Sequence, residues 1–167
     1  MSDSAFLLWP DPRLKEFAAP VDKIDAEVSA TWERMLDAMY AMPGVGLAAP
    51  QIGVSRRIIV VDCEPDGKAP VRLANPELIE ASAGMRDHEE ASPNLPGVFA
   101  KVTRPNAVLV SYLDMGGAKT QRWFEGLWST SVQHQIDHLN GELFIERLSR
   151  VKRRMVLDKY KKLRRKN

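Results

Sequence analysis

The sequence predicts a single domain that mixes helices and strands. An apolar stripe at helical spacing follows Pro20, short β-branched runs dominate the middle, and a second helical stretch with two histidines precedes the C-terminus. With 167 residues, of which 44% are hydrophobic, a chain of this class buries about 70% of the surface that its unfolded form exposes. We see no repeat or linker, so we expect one domain over residues 1–167.

The first predicted elements are an arm and a helix. Residues 7–20 contain three prolines and read as an extended arm over the body. The helix that follows has Asp22 or Asp25 as its N-cap and ends at Pro43. Its apolar stripe is typical of a packed helix, and its members are Ile24, Val28, Trp32, Met35, Leu36 and Met39.

The middle of the chain reads as strands. Residues 58–61 form a continuous β-branched run, residues 71–74 are a candidate second strand, and residues 107–113 are a third. The third ends in the turn signal of residues 114–117, so we predict a hairpin with a return strand through Trp123.

Two segments of the middle read as loops. Residues 89–97 carry two prolines and no periodicity, which indicates a loop or an irregular edge. Residues 44–51 are small and end in Gln51, whose amide is able to donate a hydrogen bond into a site, since glycines permit close backbone approach. The alternative for this second segment is a tight turn packed on the sheet.

A helix over about residues 126–140 carries the strongest chemical signal. His134 and His138 are four residues apart and therefore lie on one helical face, where both rings can point at one atom. This spacing is the ligand half of the H-E-x-x-H metal motif, in which the glutamate handles the proton of a metal-bound water. Here the glutamate position is Gln135, and Gly141 ends the helix.

The last predicted helix, about residues 149–167, is capped by Ser149, and we expect Val151, Met155 and Leu163 to face inward. The net charge of +2 is divided unevenly, because residues 147–167 carry +10 and the rest of the chain carries −8. Such a basic helix holds phosphates, as in RNA or the ribosome, or is simply a solvated helix end.

Three features of the sequence bear on cellular location. The single cysteine, Cys63, excludes an internal disulfide and fits a reducing compartment, and it reads as a core thiol rather than a nucleophile. No apolar run is long enough to span a membrane, and residues 1–4 lack a targeting pattern. We therefore expect a cytoplasmic protein without membrane contact.

Three segments in order, 44–51, 89–97 and 133–141, resemble the signature motifs of the peptide deformylase family. The similarity continues outside them, through residues 9–14, 75–78 and 141–145. It implies an α+β fold with antiparallel sheets around a central helix that carries both histidines. It also implies removal of the formyl group from the N-terminal formyl-methionine of nascent polypeptides, with a bound divalent metal that is commonly iron.

The resemblance also assigns roles to individual residues. His134 and His138 match the family's metal ligands, and Gln51 matches the glutamine that helps to hold the oxyanion. Gly46 and Leu47 match backbone positions beside the substrate. The same comparison assigns three further residues to the substrate pocket, namely Gly44, Val45 and Glu90.

Four positions depart from the family pattern. Ser92 stands where the family has a metal-binding cysteine, and a hydroxyl is a far weaker acid than a thiol. Pro93 stands where a backbone N–H donates to the oxyanion, yet proline has no N–H. Gln135 replaces the general base, and Phe99, in the substrate pocket, replaces an arginine that contacts the substrate. We therefore expect reduced affinity for iron, nickel or zinc, or a metal-free protein.

These departures leave three hypotheses. The preferred one is a deformylase-like protein that binds N-terminal formyl-methionyl peptides with weak or absent hydrolysis. The second is an active but atypical deformylase or amide hydrolase, in which His88, Glu89 or Glu90 supplies the missing ligand or base. The third is a protein that binds ribosomes or nascent chains through the basic C-terminal helix.

Overall fold

The computed structural model describes residues 6–67 and 69–166. The N-terminal segment 1–4 and Asn167, both included in the sequence predictions, lie outside this part. The described residues form three α-helices, α1 (Ala26–Ala41), α2 (Leu127–Leu139) and α3 (Arg150–Arg165). The strands are β1 (Gly46–Ala48), β2 (Ile58–Val61), β3 (Val71–Ala81), β4 (Met85–Glu90), β5 (Ala100–Pro105), β6 (Ala107–Leu113) and β7 (Lys119–Glu125).

The strands form two antiparallel sheets. The larger sheet has the order β1-β2-β3-β6-β7, and the smaller sheet pairs β4 with β5. The predicted hairpin is confirmed, because β6 and β7 pair over their whole length from Ala107 opposite Glu125 to Leu113 opposite Lys119. The chain is thus α+β, as the resemblance implies.

The larger sheet lies between α1 and α2. Alternate residues of β2 point to opposite faces, so Ile58 and Val60 pack in the α1 cluster while Ile59 and Val61 pack in the α2 cluster. Burial on both faces explains why β2 is a continuous apolar run. Five members of the predicted stripe are buried on α1, whereas Ile24 precedes the helix and is partly buried. The Asp25 side chain accepts a 2.9 Å hydrogen bond from the Val28 N–H.

A third apolar cluster joins α3, the β4–β5 region and the N-terminal arm. The arm lies over the body as predicted but is not extended throughout, because Pro12–Lys15 form a 3₁₀ helix. The Leu7 N–H donates to the Gln51 carbonyl at 2.9 Å. The Trp9 N–H donates to the Asn94 carbonyl, and the Trp9 carbonyl accepts from the Tyr160 hydroxyl at 3.0 Å. The arm therefore connects the first two predicted motif segments to α3.

The prediction for the inward face of α3 was wrong for two of its three residues. Val151 and Met155 are 70% and 65% exposed, and the buried residue is Tyr160. Leu163 does pack against the third cluster, together with Val156 and Leu157. The inward stripe therefore starts at Val156, five residues later than predicted.

Three other predictions need correction. Residues 71–74 are only the start of β3, which continues to Ala81. Pro76 fits within this strand because the pairing with β6 shifts register between Ala74 and Glu77. The predicted loop 89–97 begins inside β4, and residues 44–51 contain β1 and a 3₁₀ turn, Ala49–Ile52. No helix in the described ranges is long and apolar enough to cross a membrane.

Candidate functional site

Helix α2 runs through the interior and carries the two histidines. Every residue from Ser129 to Leu139 is buried. The rings of His134 and His138 lie with their centroids 5.0 Å apart, and His134 also stacks on Phe144 at 6.2 Å. The i, i+4 spacing therefore brings both imidazoles together on one face, as predicted.

Glu90 orients His134. The His134 Nδ1 atom is 2.8 Å from Glu90 Oε1, so a protonated Nδ1 leaves the Nε2 lone pair for another partner. Arg104 donates two more hydrogen bonds to the same carboxylate, at 2.6 and 2.9 Å. Burial raises the pKa of Glu90, but the hydrogen bonds from His134 and Arg104 outweigh it and lower the pKa to about 2.

Asp137 extends this buried network. Arg104 Nη1 donates to Asp137 Oδ2 at 2.9 Å, and Arg147 donates to both oxygens of Asp137 at 3.0 and 2.7 Å. Two carboxylates are thus matched by two guanidiniums. The network holds β4, β5 and α2 together behind His134.

His138 lies deeper than His134. Its side chain is 1% exposed, and neither ring nitrogen has a hydrogen-bond partner within residues 6–67 and 69–166. Burial, followed by the charges of His134 and Arg104, lowers the pKa of His138 well below its usual value. A buried neutral imidazole with a free lone pair is a candidate metal ligand.

A cavity of about 350 Å³ opens beside this helix. Most of the predicted site residues line this cavity. They are His134, Gln135, Gln51, Ser92 and Pro93, together with the predicted pocket residues Gly44, Val45, Gly46 and Glu90. His138 and Leu47 are buried outside the lining. Phe99 is 55% exposed and outside the lining, with Lys159 Nζ 5.7 Å from its ring centroid.

Gln51 is held by hydrogen bonds at both ends of its amide. Its Oε1 atom accepts from the Ala48 N–H at 2.9 Å, and its Nε2 atom donates to Asn94 Oδ1 at 2.7 Å and to Ser92 Oγ at 3.4 Å. Asn94 also donates to the Leu7 and Gln51 carbonyls. The sequence alone did not identify Asn94, and the only available signal was a polar amide two residues after Ser92.

Gln135 and Gly46 meet where α2 approaches β1. The Gln135 side chain is 5% exposed, and its Oε1 atom has no hydrogen-bond partner in the described part of the chain. A Cβ atom at Gly46 would collide with Ser131 Oγ and lie 2.7 Å from Gln135 Nε2. Ser131 Oγ donates to the Val45 carbonyl at 2.9 Å, so a glycine is required for this close approach.

The donor set does not fit a divalent metal that the protein holds alone. Two imidazoles are present, but Ser92 Oγ is a neutral hydroxyl already 3.0 Å from Asn94 Oδ1. Within the described ranges, no three His, Cys, Asp or Glu side chains form a group that could hold an ion. His88 and Glu89 line the cavity but do not complete such a group with the histidines.

Cys63 lies outside this cavity and is partly buried against the α2 cluster. Burial raises the pKa of its thiol to about 12, with further contributions from Asp62 and Glu64. A thiol that stays protonated is a poor nucleophile. This environment agrees with the prediction that Cys63 is a packing residue.

Comparisons with known proteins agree on one family. The polypeptide deformylase family matches residues 4–154. The peptide deformylase from Methylocella silvestris is 44% identical over 93% of this chain and 82% of its own length. The peptide deformylase from Agrobacterium fabrum is 41% identical over 97% of this chain and 96% of its own length. The Legionella pneumophila peptide deformylase crystal structure superimposes with a TM-score of 0.89 and 41% identity, covering 96% of this chain and 94% of the other. The crystal structure of the Ehrlichia chaffeensis peptide deformylase in complex with actinonin superimposes with a TM-score of 0.89 and 33% identity. The match covers 97% of this chain and 98% of that one.

Proposed function

This chain belongs to the polypeptide deformylase family, and from that premise we propose that it binds N-terminal formyl-methionyl peptides but hydrolyses them far more slowly than an intact deformylase site would. The observation that carries the proposal is the buried amide of Gln135 on the cavity wall, beside His134. A carboxamide at this position can form hydrogen bonds but cannot take a proton from water. Nascent peptides as ligands would place the protein in the cytoplasm.

The expected loss of rate follows from the groups that are missing. Loss of general acid–base catalysis costs about 10²–10⁴-fold. Loss of one oxyanion donor costs about 10²–10³-fold, and Pro93 has no N–H to donate. The two effects do not simply multiply, because the groups act as one unit. Either effect alone reduces hydrolysis severely.

Peptide binding is supported by the features of the cavity that remain. A volume of about 350 Å³ lies within the range of roughly 300–1,000 Å³ that is typical of ligand sites. Gln51 Nε2 uses one N–H for Asn94 Oδ1, and its contact with Ser92 Oγ is long at 3.4 Å. A formyl or peptide carbonyl oxygen would therefore have to displace only this long contact with Ser92 to accept the second N–H.

Turnover of a short formyl-methionyl peptide tests the proposal. We would measure kcat/KM for protein that is purified without oxygen and loaded in turn with iron, nickel and zinc. The control is the combined variant Gln135→Glu, Ser92→Cys and Pro93→Leu. We expect the variant to turn over and the natural chain to be at least about 10²-fold slower. Equal rates would refute the assigned cause of the defect.

Peptide binding requires a separate measurement. Equilibrium binding of a fluorescent formyl-methionyl tripeptide to the natural chain tests it directly, with the unformylated tripeptide as the control ligand. We expect saturable binding that prefers the formylated peptide. Turnover by the natural chain at a rate typical of enzymes would favour the second candidate, an atypical hydrolase, since the histidine pair is present.

We also propose that the basic surface of helix α3 binds RNA, for example on the ribosome. The helix carries more exposed basic residues than are needed to cap one helix terminus, and such a surface can bind phosphates. The exposed basic residues are Arg150, Lys152, Arg154, Lys159, Lys161, Lys162, Arg164 and Arg165. Co-sedimentation with ribosomes over a series of salt concentrations tests this contact.

A further inference from the structure

Strand β4 presents a row of polar side chains to helix α2. Arg86, His88 and Glu90 alternate with exposed residues and therefore lie on one face of the strand. Glu90 contacts His134, and Arg86 Nη1 donates to Thr130 Oγ1 at 2.7 Å. The strand and the helix thus run side by side. Arg86 lies one helical turn away from the level of His134, which is about 6 Å along a helix axis.

The cavity beside α2 spans this distance. Its lining includes both His134 and Thr130, together with His88. Arg86 is partly buried and lies one hydrogen bond away from the lining, through the Thr130 hydroxyl. The cavity therefore has a second end, at Thr130, that is distinct from the end at His134.

The guanidinium of Arg86 carries a positive charge that is not matched within the described part of the chain. Its one hydrogen bond is made to a neutral hydroxyl, and it forms no ion pair with a described carboxylate. Arg104 is directly opposite Arg86 in the β4–β5 pair, but its charge is balanced by two buried carboxylates. Glu89 also lines the cavity, yet it is exposed and lies on the other face of β4. Because a guanidinium has five N–H donors, Arg86 keeps donors for a carboxylate.

We propose that the Thr130 end of the cavity selects a carboxylate on the first side chain of a formylated ligand, with Arg86 as the specificity-determining residue. The inference rests on the proposed function, which places the formyl oxygen at Gln51. A glutamate side chain has the same chain length as a methionine side chain, so it extends equally far towards Thr130. A thioether is only a weak hydrogen-bond acceptor, whereas a carboxylate accepts two parallel bonds from a guanidinium.

Equilibrium binding of three formylated tripeptide amides to the natural chain tests the inference. They begin with glutamate, glutamine or methionine and are otherwise identical, and amidation removes the C-terminal carboxylate. We expect the glutamyl ligand to bind at least about tenfold more tightly than the isosteric glutaminyl ligand, as for a hydrogen bond to a charged group. Equal affinity for these two, with saturable binding of the methionyl ligand, would overturn this inference alone. Absence of binding by all three would overturn the proposed function as well.

Variants of Arg86 locate the effect through the ratio of the glutamyl to the glutaminyl affinity, because a general disturbance of the cavity changes both affinities alike. Arg86→Gln should reduce this ratio to about one, and Arg86→Lys should retain part of it, since lysine keeps the charge but not the planar fork. Arg34→Gln, at an exposed position of α1, makes the same change in net charge and should keep the ratio of the natural chain. A ratio that survives in Arg86→Gln, or that falls equally in Arg34→Gln, would overturn the assignment.

Discussion

Gly46 controls how closely the motif segment of β1 approaches α2. A Cβ atom at this position would be 2.7 Å from Gln135 Nε2 and closer still to Ser131 Oγ. We predict that Gly46→Ala lowers the free energy of unfolding by about 1–3 kcal/mol, the usual cost of overpacking. It should also weaken formyl-peptide binding, because Gln135 must move. Urea unfolding and peptide titration measure the two effects.

Gly84→Ala is the matched control for this substitution. A Cβ atom at Gly84 meets no atom within 4 Å. We expect little change in stability and unchanged peptide affinity. If Gly46→Ala behaved like Gly84→Ala, the packing between β1 and α2 would not determine the position of Gln135.

Glu90 makes stability depend on pH in the acid range. Its pKa is about 2 in the folded protein against an ordinary value of 4.5, so the ionised form is favoured by folding. The resulting stabilisation, on the order of 3 kcal/mol, is fully present above pH 4.5 and is lost as the pH falls towards 2. Glu90→Gln should flatten the dependence of the unfolding free energy on pH in this window. Glu80→Gln, at an exposed position, should leave it unchanged.

At the scale of residues, local pattern was informative only where the chemistry is local. The spacing of His134 and His138 placed both rings on one face, and this follows from helical geometry. The partners of Glu90 could not be predicted in the same way, because Arg104 and His134 are 14 and 44 residues away. No periodicity encodes such long-range pairs.

At the scale of elements, predictions succeeded where the apolar pattern was strong and failed where a strand consists mainly of charged residues. The apolar run of β2 and the hairpin of β6 and β7 were identified correctly. Strand β4 carries five charged or histidine residues in six positions, so its sequence did not indicate a strand, although its first five positions alternate between exposed and partly buried and Glu90 is buried. These residues form a strand because they pair with β5, and that pairing is a tertiary contact.

Helix α3 combines packing with charge, and the two are separable by mutation. Tyr160 is buried and bonded to the Trp9 carbonyl, so deleting the helix would damage the core as well as the basic surface. We predict that reversing the exposed charges of Arg150, Lys152 and Arg154 to glutamate weakens ribosome co-sedimentation and leaves the fold intact. Each lost phosphate contact should also reduce the salt slope of binding by about 1.

A control with the same change in net charge separates a specific surface from overall charge. The control reverses three exposed lysines on the body of the protein, Lys15, Lys23 and Lys119. Equal loss of co-sedimentation in both variants would refute a specific role for α3. Circular dichroism of both variants verifies that neither effect comes from unfolding.

At the scale of the whole molecule, the site lies where separately formed parts meet. Helix α2 provides the histidines, the smaller sheet provides Glu90 and Arg104, and the arm fixes Asn94 through the Leu7 carbonyl. The cavity therefore exists only when the tertiary structure is complete. This explains why the sequence indicates its residues individually but not their hydrogen-bond network.

Arg104 is the centre of that assembly, since its buried guanidinium pairs with carboxylates from β4 and α2. We predict that Arg104→Leu lowers the free energy of unfolding by about 3–5 kcal/mol, because Glu90 is left buried without its cation. Arg147→Leu should cost less, because its side chain is 47% exposed and Asp137 keeps Arg104. Adding Glu90→Leu to Arg104→Leu should recover part of the loss, since no buried carboxylate then lacks a partner. Denaturant unfolding of the natural chain and the three variants measures these differences in stability. A double variant less stable than Arg104→Leu would show that packing, rather than charge balance, dominates the network.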